Sequence, residues 1–273
     1  MKTVLITGAT GAIGKATAME LAKNKCNLIL LGRNSEKLNA LKAEITKTTG
    51  NNNVDVFVAE LSEPGSIAKA AEEIKKKYTA INALINIAAI YKAKRAENSK
   101  GHEYMLATNH LGPFVLTNQV QDLLKAGKPS RVVTVTAPAT NKINFDDIHG
   151  KQKFNPGFTG IFGSTKVMNL MFTYALAEKL KGSGVTTSAY HPGLVKTELT
   201  KDMGAFLNFI FGMISSGPDK AAKMLTKAAI DPAYEQSNGT FLKFDGKEIK
   251  SSAYTYDKAM QDKLWKLSEQ LTL

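Results

Sequence analysis

The sequence predicts an α/β fold in which one parallel sheet of about seven strands is covered by helices on both faces. Two observations lead to this prediction. Short apolar runs alternate with longer amphipathic runs along the 273 residues, and a glycine-rich loop separates the first apolar run from the first amphipathic run. Continuous apolar runs are typical of parallel strands that are buried on both faces. Right-handed connections between such strands give a doubly wound sheet, here in a single domain that spans residues 1–273.

The apolar runs, rich in Val, Ile and Leu, predict the strands, and the amphipathic runs predict the helices. Strands are predicted at residues 3–7, 27–31, 54–58, 83–86, 131–136, 186–190 and 239–244. Helices are predicted at residues 12–24, 35–48, 64–78, 100–126, 159–181, 218–230 and 257–270. Two longer connections, at residues 137–160 and 200–217, follow strand ends. Because doubly wound sheets bind ligands at the carboxyl ends of their strands, we expect both connections to border a binding site.

The composition is that of an ordinary globular protein, with 43% hydrophobic and 22% charged residues. Cys26 is the one cysteine, which excludes an internal disulfide and a cysteine-rich metal site, and no metal is expected. No signal peptide is recognised at the start, and no apolar run reaches the roughly 18–20 residues that cross a bilayer. The cytoplasm is therefore the expected location.

The net charge of +12 suits an anionic ligand. The lysines are scattered along helices and form no basic stripe interleaved with aromatic residues, so nucleic acid is not an expected partner. The sequence leaves open whether the protein makes a weak contact with a membrane surface and whether it forms a homo-oligomer.

The glycine-rich loop, residues 7–14, reads Thr-Gly-Ala-Thr-Gly-Ala-Ile-Gly between the first strand and the first helix. Glycine permits a positive φ and a close approach of backbone to ligand. Backbone N–H groups at the start of a helix then bind phosphate oxygens. In this context the loop predicts a dinucleotide site of the Rossmann type.

The end of the second strand indicates which dinucleotide is bound. A site that selects NAD usually has an acidic residue at this point for the ribose 2′-hydroxyl, and this sequence has Arg33 followed by Asn34. A guanidinium pairs well with a 2′-phosphate. The sequence therefore favours NADP(H).

The spacing Thr-Gly-x-x-x-Gly-x-Gly resembles the short-chain dehydrogenase/reductase superfamily, and the resemblance covers nearly the whole chain. Residues 82–89, Asn-Ala-Leu-Ile-Asn-Ile-Ala-Ala, resemble the Asn-Asn-Ala-Gly signature of that superfamily in altered form. Residues 108–114, 143–148, 191–199 and 263–268 resemble its retinol-dehydrogenase-like branch. The resemblance implies a single-domain Rossmann fold and a nicotinamide cofactor.

Together the loop and the resemblance imply a set of cofactor contacts from the glycine loop, the strand ends and the segment after the sixth strand. They are Thr7, Gly8, Thr10, Gly11, Ala12, Ile13, Gly14, Arg33, Asn34, Glu60, Leu61, Asn86, Ala88, Lys166, Pro192, Gly193, Val195 and Thr197. Glu60 stands where the family usually has aspartate, and Lys166 is implied to hold the nicotinamide ribose.

The family chemistry uses four groups, of which this sequence keeps two. Asn109 and Lys166 match the asparagine of a water relay and the lysine that lowers the pKa of a catalytic tyrosine. Phe162 stands at the position of that tyrosine, and Ala137 stands at that of the serine that hydrogen-bonds the reacting oxygen. Neither side chain carries a donor. Ordinary ketone reduction by the family route is therefore not expected, since a general acid typically contributes about 10²–10⁴-fold.

Several substitutes stay open. Thr136 precedes Ala137, and its hydroxyl reaches the site only if the chain bends there. Tyr91 follows the fourth strand and is the best substitute acid. Lys166 acting together with a water molecule is another candidate for the missing acid, because burial can lower the pKa of a lysine strongly.

Residues 204–214 hold three phenylalanines and other apolar side chains, and the resemblance implies that this segment belongs to a substrate lid at about residues 200–217. We expect a ligand that is an apolar or aromatic small molecule; core packing of the segment is the alternative.

Three hypotheses about the function follow from these observations. One is an enzyme with non-standard chemistry, either hydride transfer with a substitute proton source or a non-redox step such as a cyclisation. The others are a non-catalytic cofactor-binding regulator or scaffold, and an ordinary carbonyl reductase whose acid is Tyr91.

Overall fold

In the computed structural model, which describes residues 1–195 and 217–273, seven strands form one parallel sheet in the order β3-β2-β1-β4-β5-β6-β7. The strands are β1 Thr3–Thr7, β2 Asn27–Gly32, β3 Val54–Val58, β4 Ala83–Asn86, β5 Ser130–Val135, β6 Val185–His191 and β7 Thr240–Lys243. The strand order reverses at β1, which pairs with β2 on one side and β4 on the other. The predicted doubly wound parallel sheet is confirmed.

Helices cover both faces of the sheet. They are α1 Ala12–Lys23, α2 Ser35–Thr49, α3 Pro64–Lys77, α4 Tyr104–Leu106, α5 Gly112–Gln119, α6 Gln121–Ala126, α7 Ile161–Lys179, α8 Pro218–Ile230 and α9 Lys258–Thr272. Short 3₁₀ turns occupy Pro232–Tyr234 and Ala253–Tyr256. Alternate strand residues point to opposite faces, so Val4 packs with α1 and α8 while Leu5 packs with α3, α5 and α7. The core is therefore split into two layers with the sheet between them.

The helix predicted at residues 100–126 is not continuous, and that prediction is wrong in detail. It begins at Tyr104, widens into a π-helical turn at Ala107–Leu111, and is interrupted again at Val120. Pro113 has no N–H, so it provides no α-helical donor for the carbonyl of Asn109, four residues earlier. Asn169 Nδ2 on α7 donates to that carbonyl instead, at 2.9 Å. The irregular turn thus ties α5 to α7 beside the ligand crevice.

The end of β5 also differs from the prediction. The strand ends at Val135 rather than at residue 136, although the N–H of Thr136 still donates to the carbonyl of Tyr190 in β6 at 2.8 Å. The Thr136 hydroxyl donates to the backbone carbonyl of Lys166 at 2.9 Å. This bond fixes the start of α7 against the end of β5.

Candidate functional site

The glycine loop leaves no room for side chains at two of its positions. Gly8 has a φ of +64°, and a Cβ on it would lie 2.8 Å from the Cα of Ala88. A Cβ on Gly14 would lie 2.1 Å from the carbonyl oxygen of Gly8. Helix α1 begins at Ala12, and no side chain caps its N-terminus. The first-turn N–H groups therefore lack intrahelical partners and suit a phosphate group.

One open cavity of about 580 Å³ runs along the carboxyl ends of the strands, a volume typical of a small-molecule site. Most of the predicted site residues line it. They are Gly8, Thr10, Gly11, Ala12, Ile13, Gly14, Arg33, Glu60, Leu61, Ala88, Tyr91, Ala137, Phe162, Lys166, Pro192, Gly193 and Val195. Other lining residues, none of which was predicted to belong to the site, include Ile90, Lys92, Thr108, Phe158 and His191.

Four predicted residues, three of them buried and Asn34 exposed, are not among the residues that line the cavity. The Thr7 hydroxyl accepts hydrogen bonds from the N–H groups of Ile87 and Ala88, at 3.0 and 3.2 Å. Asn34 caps α2 by accepting from Lys37 N at 2.8 Å. These bonds hold the chain beside the cavity, and direct contact of Thr7 and Asn34 with a cofactor stays a prediction.

Asn86 and Asn109 are also buried behind the cavity wall. Asn86 Nδ2 donates to Thr117 Oγ1 at 3.3 Å, and its Oδ1 has no partner among the described residues. Asn109 Oδ1 accepts from Ile90 N at 2.8 Å, and its Nδ2 donates to Ile90 O at 2.9 Å. Asn109 thus fixes the loop that carries Tyr91, and no sequence pattern indicated this pairing.

Thr197 and residues 200–216 of the predicted lid lie outside the described residues. The part of this wall that is described consists of Pro192, Gly193 and the residues beside them. Gly193 has a φ of +76°, and a Cβ on it would lie 3.0 Å from the ring of Phe244. The turn after β6 therefore requires glycine.

The end of the cavity at β2 and β3 carries one ion pair. Arg33 Nη1 lies 4.0 Å from Glu60 Oε2, and the Arg33 side chain is 66% exposed. Glu60 Oε1 also accepts from Ser62 N at 3.1 Å. Because exposed pairs of this kind contribute little energy, Arg33 stays available to a phosphate. The sequence had identified both residues but not their pairing.

The other end of the cavity holds a buried lysine beside an aromatic ring. Lys166 Nζ lies 4.8 Å from the centroid of the Phe162 ring, one helical turn away on α7. Phe162 is 2% and Lys166 6% exposed. Burial away from water lowers the pKa of the Lys166 ammonium from 10.5 to about 8. No described residue accepts a hydrogen bond from Nζ.

Two further aromatic residues complete an aromatic cluster, defined here as Tyr91, Phe158 and Phe162. Tyr91 meets Phe162 edge to face at a centroid distance of 5.7 Å, and Phe158 does so at 5.2 Å. Phe158 is 49% exposed although it lines the cavity. The cluster therefore presents an open apolar wall next to the buried ammonium.

The hydroxyl groups near this wall are few. Ala137 lines the cavity without a donor, and the Thr136 hydroxyl is used by the Lys166 carbonyl. The Tyr91 hydroxyl makes no hydrogen bond to a described residue, and neither does the Thr108 hydroxyl. Of the α7 residues that line the cavity, Phe162 and Lys166, only Lys166 carries a donor on its side chain.

None of the helices in the two described ranges is both long enough and apolar enough to cross a membrane. The described part of the chain also has no group of three His, Cys, Asp or Glu side chains arranged to hold a metal ion.

Comparison with known proteins gives consistent matches over the whole chain. Residues 2–208 match the short chain dehydrogenase family. Human retinol dehydrogenase 13 is 34% identical over 282 residues, which cover 99% of this chain and 84% of the relative. A solved structure from Mycobacterium paratuberculosis is 28% identical, with a TM-score of 0.79 and coverage of 100% and 93%. A Burkholderia cenocepacia short chain dehydrogenase in complex with NADP is 21% identical, with a TM-score of 0.72 and coverage of 90% and 96%.

Proposed function

Because the chain belongs to the short-chain dehydrogenase/reductase family, in its retinol-dehydrogenase-like branch, we propose that it binds NADP(H) and an apolar or aromatic small molecule and transfers hydride between them without the usual tyrosine and serine. One observation carries the proposal. The Phe162 ring lies against the buried Lys166 ammonium at the end of the cavity, where the family acid would stand.

The residues of the other end fit the cofactor. There the glycine loop offers backbone N–H groups to a pyrophosphate and Arg33 offers a guanidinium to a 2′-phosphate. At the α7 end, Lys166 offers donors to the nicotinamide ribose. When bound, the cofactor would supply or accept a hydride. The relative is named for retinol, an apolar alcohol, and the aromatic cluster suits a ligand of that kind.

The proton requirement decides which substrates suit such a site. Reduction of a simple ketone forms a strongly basic alkoxide, which needs an acid close to the oxygen. Phe162 and Ala137 provide none. Reduction of a quinone or of a similarly activated aromatic carbonyl forms a much weaker base, since phenols have a pKa of about 10. The Lys166 ammonium, with its pKa of about 8, stabilises such an oxyanion as a buried cation.

One observation favours a second candidate, the ordinary carbonyl reductase. Tyr91 lines the cavity, and its ring touches Phe162, so a tyrosine hydroxyl is available from the loop after β4. In that case Tyr91 acts as the acid from a different element. A non-redox step such as a cyclisation, and a non-catalytic role as regulator or scaffold, remain the other proposals.

The experiment combines calorimetric titration with NADPH and NADPH oxidation against a panel of quinones, activated aromatic carbonyls and simple ketones. The proposal predicts cofactor binding, measurable turnover of the activated acceptors, and far slower turnover of ketones. Turnover of simple ketones at roughly 1 s⁻¹ or above would contradict it, and Tyr91→Phe then tests the second candidate. Tight NADPH binding with no turnover of any acceptor would favour the regulator or scaffold.

A further inference from the structure

The strongest unexplained feature of the cavity is the Lys166 ammonium, which has no described counter-ion. The Lys166 residue is only 6% exposed, and its Nζ lies over the face of the Phe162 ring. No described carboxylate forms an ion pair with it. A buried cation is costly unless it is paired. An ammonium has three donors, which is enough for the hydroxyls of a cofactor ribose and for one more oxygen.

The one carboxylate among the described lining residues, Glu60, is too far away to serve as the partner. Glu60 follows β3, whereas the Thr136 hydroxyl ties Lys166 to the end of β5. Four strand spacings separate β3 from β5 in the sheet, roughly 19 Å. Glu60 is also already paired with Arg33 at 4.0 Å. The charge at the α7 end of the cavity is therefore positive within the described residues, and Lys92 adds to it at the lining.

One aromatic ring lies against the ammonium, and two further aromatic rings pack on that ring. Phe162 carries the cation on its face and meets Tyr91 and Phe158 through edge-to-face contacts at 5.7 and 5.2 Å. Phe158 is half exposed and offers a ring surface to a planar ligand. A cation next to open ring surface matches a flat ring that carries a negative oxygen.

We propose that the second ligand of this cavity is an aromatic oxyanion, a phenolate or an aryl carboxylate, whose oxygen pairs with the Lys166 ammonium while its ring packs on the aromatic cluster. The inference rests on the proposed function and deepens it, because an aryl oxide is also the product of quinone reduction. The lowered pKa of Lys166 agrees with an ammonium that lacks a partner until the ligand arrives.

A matched pair of small ligands tests the inference on the unmutated protein. 4-Nitrophenol becomes an aryl oxide near neutral pH, and 4-nitroanisole has the same ring with a methyl ether in place of the ionisable hydroxyl. Titrations with NADPH present should show 4-nitrophenol binding roughly tenfold to hundredfold more tightly, as expected for one charge-assisted hydrogen bond. 4-Nitrobenzoate is the third ligand in the series. Whichever of 4-nitrophenol and 4-nitrobenzoate binds more tightly identifies phenolate or aryl carboxylate as the ligand class.

Two lysine variants identify the pairing group. Lys166→Met should remove the preference for the anion over the ether, whereas Lys92→Met, which removes another lining lysine of the same charge, should keep most of it. Phe158→Leu should weaken both ligands by a similar factor, since it removes ring surface and no charge.

Equal binding of 4-nitrophenol and 4-nitroanisole, or a preference that survives Lys166→Met, would overturn the inference. If NADPH still binds in the same titrations, only the oxyanion is refuted and the proposed function stands. If NADPH itself fails to bind, the proposed function fails independently of the ligand pair.

Discussion

The two ends of the cavity are built from different parts of the chain. The end at β1 and β2 is formed mainly by backbone, with Gly8 and Gly14 in places that admit no side chain. The end at α7 is formed by side chains, and its chemistry depends on what stands at Ala137, Phe162 and Lys166. A backbone site changes only if the fold changes, whereas a side-chain site changes with single substitutions. The backbone end can therefore persist while the α7 end acquires new properties.

The largest effect should come from adding one methyl group to the backbone end. In Gly14→Ala the Cβ would lie 2.1 Å from the Gly8 carbonyl oxygen, so the loop must move, and we expect a loss of about 3 kcal/mol in the free energy of unfolding. Urea unfolding measures the loss. Gly65→Ala in α3 is the control, since its Cβ meets nothing within 4 Å and alanine favours a helix. Equal stability of the two variants would show that the loop is not rigid.

A substitution at the α7 end should change the free energy of unfolding by a similar amount but in the opposite direction. The pKa of Lys166 is about 8 in the folded protein against 10.5 ordinarily, so burial of the charge destabilises the fold fully below pH 8 and not at all above pH 10.5. Lys166→Met should therefore raise the free energy of unfolding by about 3 kcal/mol at neutral pH. The gain should shrink as the pH rises from 8 to 10.5, which urea unfolding of both proteins over that range would detect. A gain that is independent of pH would mean that charge burial is not its cause.

Restoring the missing donors should restore ordinary chemistry. Phe162→Tyr combined with Ala137→Ser should raise NADPH-dependent reduction of a reactive aldehyde by about 10² or more, the contribution of a general acid. Steady-state assays over a pH series measure the gain, and the double variant should show the alkaline limb of an active-site tyrosine that the unmutated protein lacks. Tyr91→Phe in the same background is the control. A double variant that is no faster would show that the α7 end differs in more than two donors.

A smaller effect is expected at the exposed cation of the backbone end. Arg33 should make NADPH bind at least about tenfold more tightly than NADH, the value of one charge-assisted pair, and Arg33→Ala should remove most of the preference. Calorimetric titration with both cofactors tests the prediction. Equal affinities in the unmutated protein would contradict it.

The smallest effect concerns the ion pair at the same end. Glu60 Oε2 lies 4.0 Å from the Arg33 guanidinium and competes with a 2′-phosphate for it. Glu60→Gln should tighten NADPH by up to about fivefold and leave NADH nearly unchanged, in line with the small energy of exposed pairs. Weaker NADPH binding in this variant would show that Glu60 orients Arg33 rather than competing with the phosphate.

The sequence by itself determined the sheet, the glycine loop and the family. Apolar runs of strand length, separated by amphipathic runs, allow few arrangements other than a doubly wound parallel sheet. The loop at residues 7–14 was recognisable because part of its need for glycine is local: Gly8 has a positive φ, and a Cβ on Gly14 would meet the carbonyl oxygen of Gly8. The identities of Phe162 and Ala137 were likewise readable, since both belong to local motifs at fixed spacing.

Only the tertiary structure decided which side chains face the cavity and which support it. Asn109 and Thr7 hold backbone N–H groups of the chain after β4, and Asn169 takes the carbonyl that Pro113 leaves free. The aromatic cluster joins residues 91, 158 and 162 from two loops and a helix. Such pairings join residues up to 81 positions apart, as between Thr7 and Ala88. Local propensity and spacing do not specify them, because they depend on how the elements pack.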